Sequence, residues 1–214
     1  MAWSAGGRLG TERRSTCAVG EQKNIKWEAA IPGEGHASPI VWRDRGFVLA
    51  AVRTETRIDQ LAPPEAEPPG GYKTERPVNV YRFVVMCLDR NTGELRWQQV
   101  ACEDVPHEGR HPTNTFASAS PTTDGRQLYV SFGSRGIFCY DLDGRLLWQR
   151  DLGDMVTRYG WGEATSPVIS DDSLIVNWDP LRHSGGNLVH VNNFPGPSSR
   201  QRDARSRIVR MDPG

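Results

Sequence analysis

The chain has 214 residues, which is long enough for one domain with a substantial core. Its 26 basic and 26 acidic residues cancel, so no net field favours nucleic acid or an anionic lipid surface. No run approaches the roughly 18 apolar residues of a membrane span, and residues 1–20 lack the apolar core of a secretory signal. We therefore predict a globular protein without a nucleic-acid partner or a membrane span.

The first half of the chain predicts one sheet that a long insertion interrupts. Residues 1–23 contain Gly-Gly and Arg-Arg pairs without periodicity, which predicts an irregular segment, and Asn24–Ile31 predicts a short strand. Residues 53–77 hold five prolines and a Gly-Gly pair. Because proline cannot donate to a strand ladder, this stretch predicts a solvated inserted loop. Around the insertion, strands are predicted within Ala37–Val52, Val78–Leu88 and Glu94–Val100.

Ala119–Asp151 is the most regular stretch and predicts a complete antiparallel sheet. Three turn pairs separate its apolar or alternating runs, which is the pattern of short strands joined by tight turns. A sheet of four such strands has an apolar face that it cannot bury alone, so it needs neighbours. The turn pairs are Asp124-Gly125, Gly133-Ser134 and Asp143-Gly144, and the runs are Gln127–Phe132, Gly136–Leu142 and Leu146–Arg150, with a weaker one at Ala119–Thr122.

Two landmarks recur in the same order along the chain and indicate a repeat protein. A Ser-Pro pair, followed by a polar turn and an apolar run, occurs at Ser38, Ser120 and Ser166. The segment Cys87–Trp97 (CLDRNTGELRW) parallels Cys139–Trp148 (CYDLDGRLLW), with aspartate, glycine and tryptophan in the same order. Two independent markers in one order predict several copies of one sheet.

The unit of Ser-Pro, turn, two strands and an Asp-to-Trp segment resembles the PQQ-binding-like repeat of quinoprotein alcohol dehydrogenase-like β-propellers, a large bacterial group of WD40/YVTN-like architecture. The resemblance implies an all-β fold, a partial β-propeller of four-stranded antiparallel blades. The resemblance covers 24–179, with a first blade that holds the inserted loop 53–77, a complete blade at 117–152 and a half blade at 164–179. Beyond it, we expect 180–214 to lie outside the repeat pattern, with one short strand within Leu188–Val191 and the remainder disordered.

The chain has fewer blades than the family that its repeats resemble. Propellers carry about 4–8 blades, and the resembling family usually has eight, so the chain is too short for the ring that its repeats imply. We therefore expect a truncated or fragmentary member. Relatives are commonly periplasmic or exported, whereas this chain shows no signal peptide. A cytosolic protein and a fragment that has lost its amino terminus both account for that difference.

The residues at the end of each repeat have expected structural roles. The resemblance implies that the two closing tryptophans dock between neighbouring blades, stacking on a peptide plane and donating through the indole N–H. The aspartates suggest calcium at first sight, but they lack the downstream bidentate glutamate of an EF-hand. Aspartate and glycine are also preferred in tight turns, so we expect a turn. These blade-docking residues are Trp97, Trp148, Asp89, Gly93, Asp141 and Gly144.

Four residues precede predicted innermost strands and are candidates for lining a central channel. His36 precedes the first Ser-Pro pair, and Arg158, Trp161 and Glu163 precede the third. In the resembling family such segments lie near the propeller axis. Local hydrogen bonding and packing is the alternative role for all four.

The function predicted from these features is that of a non-catalytic binding or scaffolding propeller segment. A remnant of a quinone-dependent oxidoreductase and a truncated product without independent function are the alternatives. Quinoprotein enzymes combine calcium-bound quinone, a catalytic aspartate and often a vicinal disulfide, and we identify no catalytic, cofactor-binding or metal residues here. We expect pyrroloquinoline quinone with calcium only in a complete ring. Unpaired strands at open blade edges predict a protein partner or self-association.

Overall fold

The described part of the chain is built from β-strands in three four-stranded sheets. None of the described residues forms a helix long and apolar enough to cross a membrane. The computed structural model describes residues 24–59, 74, 76–157, 159–171 and 173–178, and the backbone of the strands at 190–191 and 207–211. The strands are β1 (Ile40–Trp42), β2 (Arg45–Arg57), β3 (Asn79–Asp89), β4 (Leu95–Asp104), β5 (Thr122–Thr123), β6 (Gln127–Ser131), β7 (Ile137–Asp141), β8 (Leu146–Arg150), β9 (Val168–Ser170), β10 (Ser173–Trp178), β11 (His190–Val191) and β12 (Arg207–Met211), with a 3-10 turn at Gly133–Arg135.

The first two sheets are antiparallel meanders in which each strand pairs with the next along the chain. Their orders are β1-β2-β3-β4, here called blade one, and β5-β6-β7-β8, here called blade two. Tight turns with glycine at positive φ, such as Gly125 and Gly144, join the strands of blade two. The predicted all-β class and the four-stranded antiparallel sheets are confirmed.

The two faces of blade two bury different side chains, because successive residues of a strand point to opposite sides. Leu128 and Tyr140 face blade one, where they share a core with Phe83. Tyr129 and Cys139 are the adjacent residues of the same strands, and they share a second core with side chains of β10. Blade two is therefore packed between two sheets, as a propeller blade is.

The third sheet has the order β9-β10-β12-β11 and continues the repeat beyond residue 179. β12 pairs antiparallel with β10, and Leu174 lies opposite Met211. Blade two has the same register, with Leu128 opposite Tyr140 at the equivalent positions. β12 therefore occupies the place of β3 and β7, as the third strand of a third blade.

Residues 180–214, which we expect to lie outside the repeats, thus contribute two strands. β11 falls within the short strand expected at Leu188–Val191, whereas β12 lies where disorder is expected. The sequence RIVRMD at 207–212 has the spacing of VVMCLD at 84–89 and GIFCYD at 136–141. Arg207 and Arg210 interrupt the apolar run and hide this match. The outer strand β11 runs parallel to β12, whereas β4 and β8 are antiparallel to their neighbours. The remainder of this region lies outside the described residues.

Two predicted boundaries in blade one also differ from the structure. Asn24–Ile31 forms no strand. β2 continues to Arg57, past the predicted start of the insertion at 53, because the ladder to β3 resumes after a bulge. Thr54 supports this extension, since its Oγ1 donates to the carbonyl oxygen of Val80 at 2.8 Å. Residues 60–73 and 75 of the insertion lie outside the described residues.

Because the strands are antiparallel, the connections between them lie at the two opposite ends of the strands. The end here called the loop face carries the β4–β5 connection (105–121), the β6–β7 turn (132–136) and the β8–β9 connection (151–167). The opposite end, here called the turn face, carries the short β1–β2, β3–β4, β5–β6, β7–β8 and β9–β10 turns.

Candidate functional site

On the turn face, tryptophans rest on glycines of a neighbouring turn. The half-buried ring of Trp97 lies over Gly144, where an added Cβ would be 2.8 Å from the indole. Its Nε1 donates to the carbonyl oxygen of Leu142 at 3.0 Å. The ring of Trp27 lies over Gly93 in the same way, and its Nε1 donates to the carbonyl oxygen of Arg90 at 2.8 Å. Trp27 is thus a docking residue, although the sequence pattern places it in a strand.

A β-bulge precedes both closing tryptophans. Cys87 pairs with Trp97 and the next residue pairs with Leu95, so Arg96 is an extra residue in β4. Blade two repeats this bulge, with Leu147 as the extra residue before Trp148. The repeated bulge gives the two tryptophans the same orientation, toward the following sheet.

Trp148 differs from Trp97 in its hydrogen bonding. It packs in the core between blade two and the third sheet, with its ring centroid 6.1 Å from that of Tyr129. No described residue accepts a hydrogen bond from its Nε1. The turn that would correspond to Gly93 and Gly144 follows β12, outside the described residues.

The turn aspartates bind backbone N–H groups. Asp89 Oδ1 accepts from the amides of Asn91 and Thr92 at 2.7 and 3.0 Å, and Asp141 Oδ1 accepts from two amides of its own turn. A side-chain hydrogen bond from Arg96 lowers the pKa of Asp89 below its ordinary value. Both carboxylates are therefore used in closing the turns before the docking tryptophans.

The Ser-Pro pairs join successive sheets through one repeated hydrogen bond. The amide of Ser38 donates to Ser120 Oγ at 2.9 Å, and the amide of Ser120 donates to Ser166 Oγ at 2.8 Å. Ser120 therefore accepts from the sheet before it and donates to the sheet after it. The recurrence of Ser-Pro in the sequence has this inter-sheet contact as its physical basis.

On the loop face, Ser134 ties the β8–β9 connection to blade two. Glu163 accepts from the Ser134 amide at 2.6 Å and also from the Ser134 hydroxyl. That hydroxyl accepts in turn from the amide of Met155 at 2.8 Å. Burial, together with the charge of nearby Glu108, raises the pKa of Glu163 to about 7, although the hydrogen bonds from Ser134 oppose this shift.

A second carboxylate holds the same connection from the β4–β5 side. Glu108 accepts from the Thr157 hydroxyl at 2.7 Å and from the Thr157 amide at 3.1 Å. Burial raises the pKa of Glu108 above its ordinary value. The neighbouring His107 is buried, and its Nε2 donates to the carbonyl oxygen of Met155 at 2.8 Å, since a carbonyl can only accept. Its Nδ1 lies 3.4 Å from Asp154.

Little space remains among these groups. Arg135 forms ion pairs with Asp104 at 2.5 Å and with Asp154 at 2.7 Å. The cavity that Glu108, Glu163 and Ser134 line has a volume of about 30 Å³, which is room for about two water molecules. This loop-face cluster is thus a clamp on the β8–β9 connection.

The clamp supports an aromatic surface on the loop face. The ring of Trp161 lies 4.7 Å from that of Tyr159 and 5.5 Å from that of His111. The Trp161 carbonyl accepts from the His111 amide at 3.1 Å and from Asn114 Nδ2 at 2.8 Å. Trp161 is nevertheless 38% exposed. Tyr159, Trp161 and His111 are here called the aromatic cluster.

The predicted channel residues lie in different surroundings. Glu163 is part of the clamp and Trp161 is part of the aromatic cluster. His36 is exposed, its amide donates to the carbonyl oxygen of Ala117 at 3.1 Å, and no hydrogen bond or ion pair joins its side chain to Trp161 or Glu163. Arg158 lies outside the described residues.

Sequence reasoning missed the partners within the clamp. Ser134 and Glu163 are 29 residues apart, and Glu108 and Thr157 are 49 apart. No periodicity relates such positions, because the fold alone brings the three connections together. Gly133-Ser134 was recognisable only as a turn.

Comparisons with known proteins place the chain in a family. The model of the PQQ_2 family, described as "Outer membrane protein assembly factor BamB", matches residues 81–194, more than half of the chain. The chain belongs to the PQQ_2 family. The predicted resemblance to PQQ-like repeats and the partial β-propeller fold are thereby confirmed.

One solved structure similar to this PQQ_2 member is the crystal structure of BamB from Moraxella catarrhalis. The identity is 18% and the TM-score is 0.30, over 51% of this chain and 29% of that one. The chain thus spans less than a third of the length of that protein. A comparison with curated proteins finds no match.

The described residues bring together no cluster of acidic ligands for a calcium ion. Calcium takes about 6–8 oxygen ligands, yet nowhere in the described ranges do three histidine, cysteine, aspartate or glutamate side chains come together to hold a metal. Cys87, Cys102 and Cys139 are free thiols, and burial raises the pKa of Cys87 to about 11. None of these three cysteines forms a disulfide.

Proposed function

We propose that the chain is a non-catalytic β-propeller segment that binds a protein partner through its loop face, in the manner of an assembly factor. Exposed Trp161, whose backbone carbonyl accepts two hydrogen bonds, carries this proposal. Tryptophan is enriched among the residues that dominate binding energy in protein interfaces. An aromatic side chain that is already fixed loses little conformational freedom on binding.

The geometry around Trp161 supports this role in two ways. Its backbone is fixed by hydrogen bonds from His111 and Asn114, and its ring is positioned by Tyr159. The clamp at Glu163 holds the same connection two residues further on. The aromatic cluster is therefore preorganised for contact with a partner.

The outer strands are the alternative surface for a partner, and their geometry favours it less. β4 and β8 are edge strands with exposed Leu95 and Leu146, which would permit strand addition. Both strands carry a bulge, however, and bulges blunt an edge against pairing. We therefore place the partner on the loop face.

Trp161→Ala tests the proposal. The family description names outer membrane protein assembly, so the partners to use are purified soluble domains of that machinery from the same organism. We expect the dissociation constant, measured by calorimetry, to rise at least about tenfold, as for truncation of an interface hot spot. Val168→Ala, which changes an exposed side chain on β9, serves as the control and should leave the constant unchanged.

Two results would count against this function. Equal dissociation constants for the parent and Trp161→Ala would remove the loop face from the interface. A rise in melting temperature on addition of pyrroloquinoline quinone and calcium would instead indicate quinone binding. We expect no such rise.

A further inference from the structure

A cavity opens on the turn face between blade two and the third sheet. Its volume is about 370 Å³, within the range of about 300–1,000 Å³ that small-molecule sites occupy. The β5–β6 turn supplies Asp124 and Arg126 to its wall, and the β9–β10 turn supplies Asp171. Tyr129 and Ser173 add buried hydroxyl-bearing side chains.

The repeat explains why this cavity exists. Asp124 follows Ser120 by four residues, as Trp42 follows Ser38. The two positions also correspond in the sheets. Trp42 is the last residue of β1 that pairs with β2, and Asp124 directly follows the last residue of β5 that pairs with β6. Asp124 therefore stands where blade one has a tryptophan.

The indole of Trp42 fills the corresponding space between blades one and two. Its ring lies against Gly125, where an added Cβ would be 2.8 Å from Cε2, and it packs on the core that those blades share. The residues one position further on, Arg43, Gly125 and Asp171, all have positive φ, at 56°, 87° and 51°. The three turns thus have the same shape, and replacement of an indole by a carboxylate leaves the second space open.

The wall of the cavity combines two carboxylates with one guanidinium. Asp124 Oδ1 accepts from the Arg126 amide at 2.7 Å, and Asp124 Oδ2 lies 3.3 Å from the Tyr129 hydroxyl. The exposed carboxylate of Asp171 accepts no hydrogen bond and forms no ion pair within the described part of the chain. Ile169 and Leu174 supply the apolar part of the wall. The excess of negative charge favours a cation.

We propose that this cavity binds a guanidinium group, presented by an arginine side chain of a partner protein. A guanidinium is planar, as is the indole that occupies the equivalent space, and its N–H groups match a carboxylate in a bidentate arrangement. Its alkyl stem suits Ile169 and Leu174. The Asp171 carboxylate is the principal acceptor. The positive charge of Arg126, which also lines the cavity, opposes binding, but the two carboxylates outweigh it.

The first experiment is a titration of the isotopically labelled chain, followed by amide shifts in NMR. N-acetyl-arginine methylamide represents an arginine within a protein, and free guanidinium represents a small-molecule source. We expect saturable shifts at Asp124, Asp171 and Ser173 with the arginine derivative, and weaker binding of free guanidinium, which lacks the stem. N-acetyl-leucine methylamide should cause no saturable shifts there. Tighter binding of free guanidinium would overturn the assignment to a protein side chain.

Asp171→Asn tests the principal acceptor. Asparagine tolerates positive φ as aspartate does, so the turn should fold, and an unchanged melting temperature verifies this. We expect affinity for the arginine derivative to fall about tenfold, or 1.4 kcal/mol, as for loss of a hydrogen bond to a charged group. Glu55→Gln removes one exposed negative charge from β2 and should leave the affinity unchanged.

Three further outcomes would overturn the proposal. They are absence of saturable binding by the arginine derivative, equal binding by the leucine derivative, and equal affinity of parent and Asp171→Asn. Trp161→Ala lies on the opposite face and should leave arginine binding unchanged, so the loop-face function and this site can fail independently.

Discussion

At the scale of single residues, the joints between sheets depend on a tryptophan and a glycine. The indole offers a large apolar surface and one donor, and glycine offers a surface without a Cβ. At Gly144, with φ of 90°, a side chain would strain the backbone and also collide with Trp97. The two residues are therefore constrained as a pair, although they are 47 positions apart.

Trp97→Phe isolates the hydrogen bond in this joint. The ring remains apolar, but the donor to Leu142 is lost and its half-buried carbonyl loses a partner, so we expect about 1–3 kcal/mol of destabilisation in chemical denaturation. Glu55→Gln, an exposed change on β2, is the control and should leave stability within about 0.5 kcal/mol of the parent. A Trp97→Phe chain as stable as the parent would mean that the hydrogen bond does not stabilise this contact.

Glu163 makes stability depend on pH. Its pKa rises from 4.5 to about 7 on folding, so the folded state favours the protonated carboxyl. The resulting stabilisation is complete below about pH 4.5 and is lost as the pH rises through 7. We expect the free energy of unfolding to fall by up to about 3 kcal/mol across this interval.

Glu163→Gln should flatten this dependence, because the amide stays neutral and can still bond to Ser134. A shallower slope in the same direction should remain, since the pKa of Glu108 is also raised. Glu55→Gln should keep the full slope in thermal melts between pH 4 and 8. A Glu163→Gln chain with the parent's full slope would exclude Glu163 as its source.

At the scale of strands, the third sheet shows how far the repeat extends. β12 takes the register of β7 although an interval of 28 residues separates it from β10. Blade one tolerates a shorter interruption at the same place, between β2 and β3. Both insertions begin and end on the loop face, because the connection between the second and third strands of a blade lies there.

A chain that ends after Trp178 tests the contribution of β12. It loses the five paired positions between β10 and β12, which we expect to cost roughly 2–5 kcal/mol. The exposed edge of β10 should also promote self-association, measurable by sedimentation velocity. A chain that lacks only residues 212–214 is the control. An unchanged melting temperature and a monomeric state after the longer truncation would contradict the pairing.

Features set by residues close together in the sequence could be predicted, whereas contacts between distant segments could not. The blades were predictable because turn pairs and alternation are local, and because Asp89 and Asp141 recur with their tryptophans. β12 was not, since a long insertion precedes it and its arginines break the apolar pattern. The clamp and the cavity were not predictable either. Ser134 with Glu163, and Asp124 with Asp171, meet only after sheets from distant segments are stacked.

At the scale of the whole molecule, the described sheets are stacked, and the two larger cores each lie between two sheets. The core between blades one and two includes Phe83 and Tyr140, and the next includes Cys139 and Val176. Because each of these cores takes side chains from both of its sheets, we expect one cooperative transition on unfolding rather than separate melting of blades. Blade one has a third, smaller core on its outer face, around Val84 and Met86.

The serine contacts give this stack a direction. Every link uses an amide on one side and a hydroxyl on the other, so a sheet inserted back to front would meet donor with donor. A blade that is copied head to tail along the chain therefore brings both the hydroxyl and the amide that its neighbours require. A transplanted blade needs this serine in addition to the tryptophan and the glycine of its contacts.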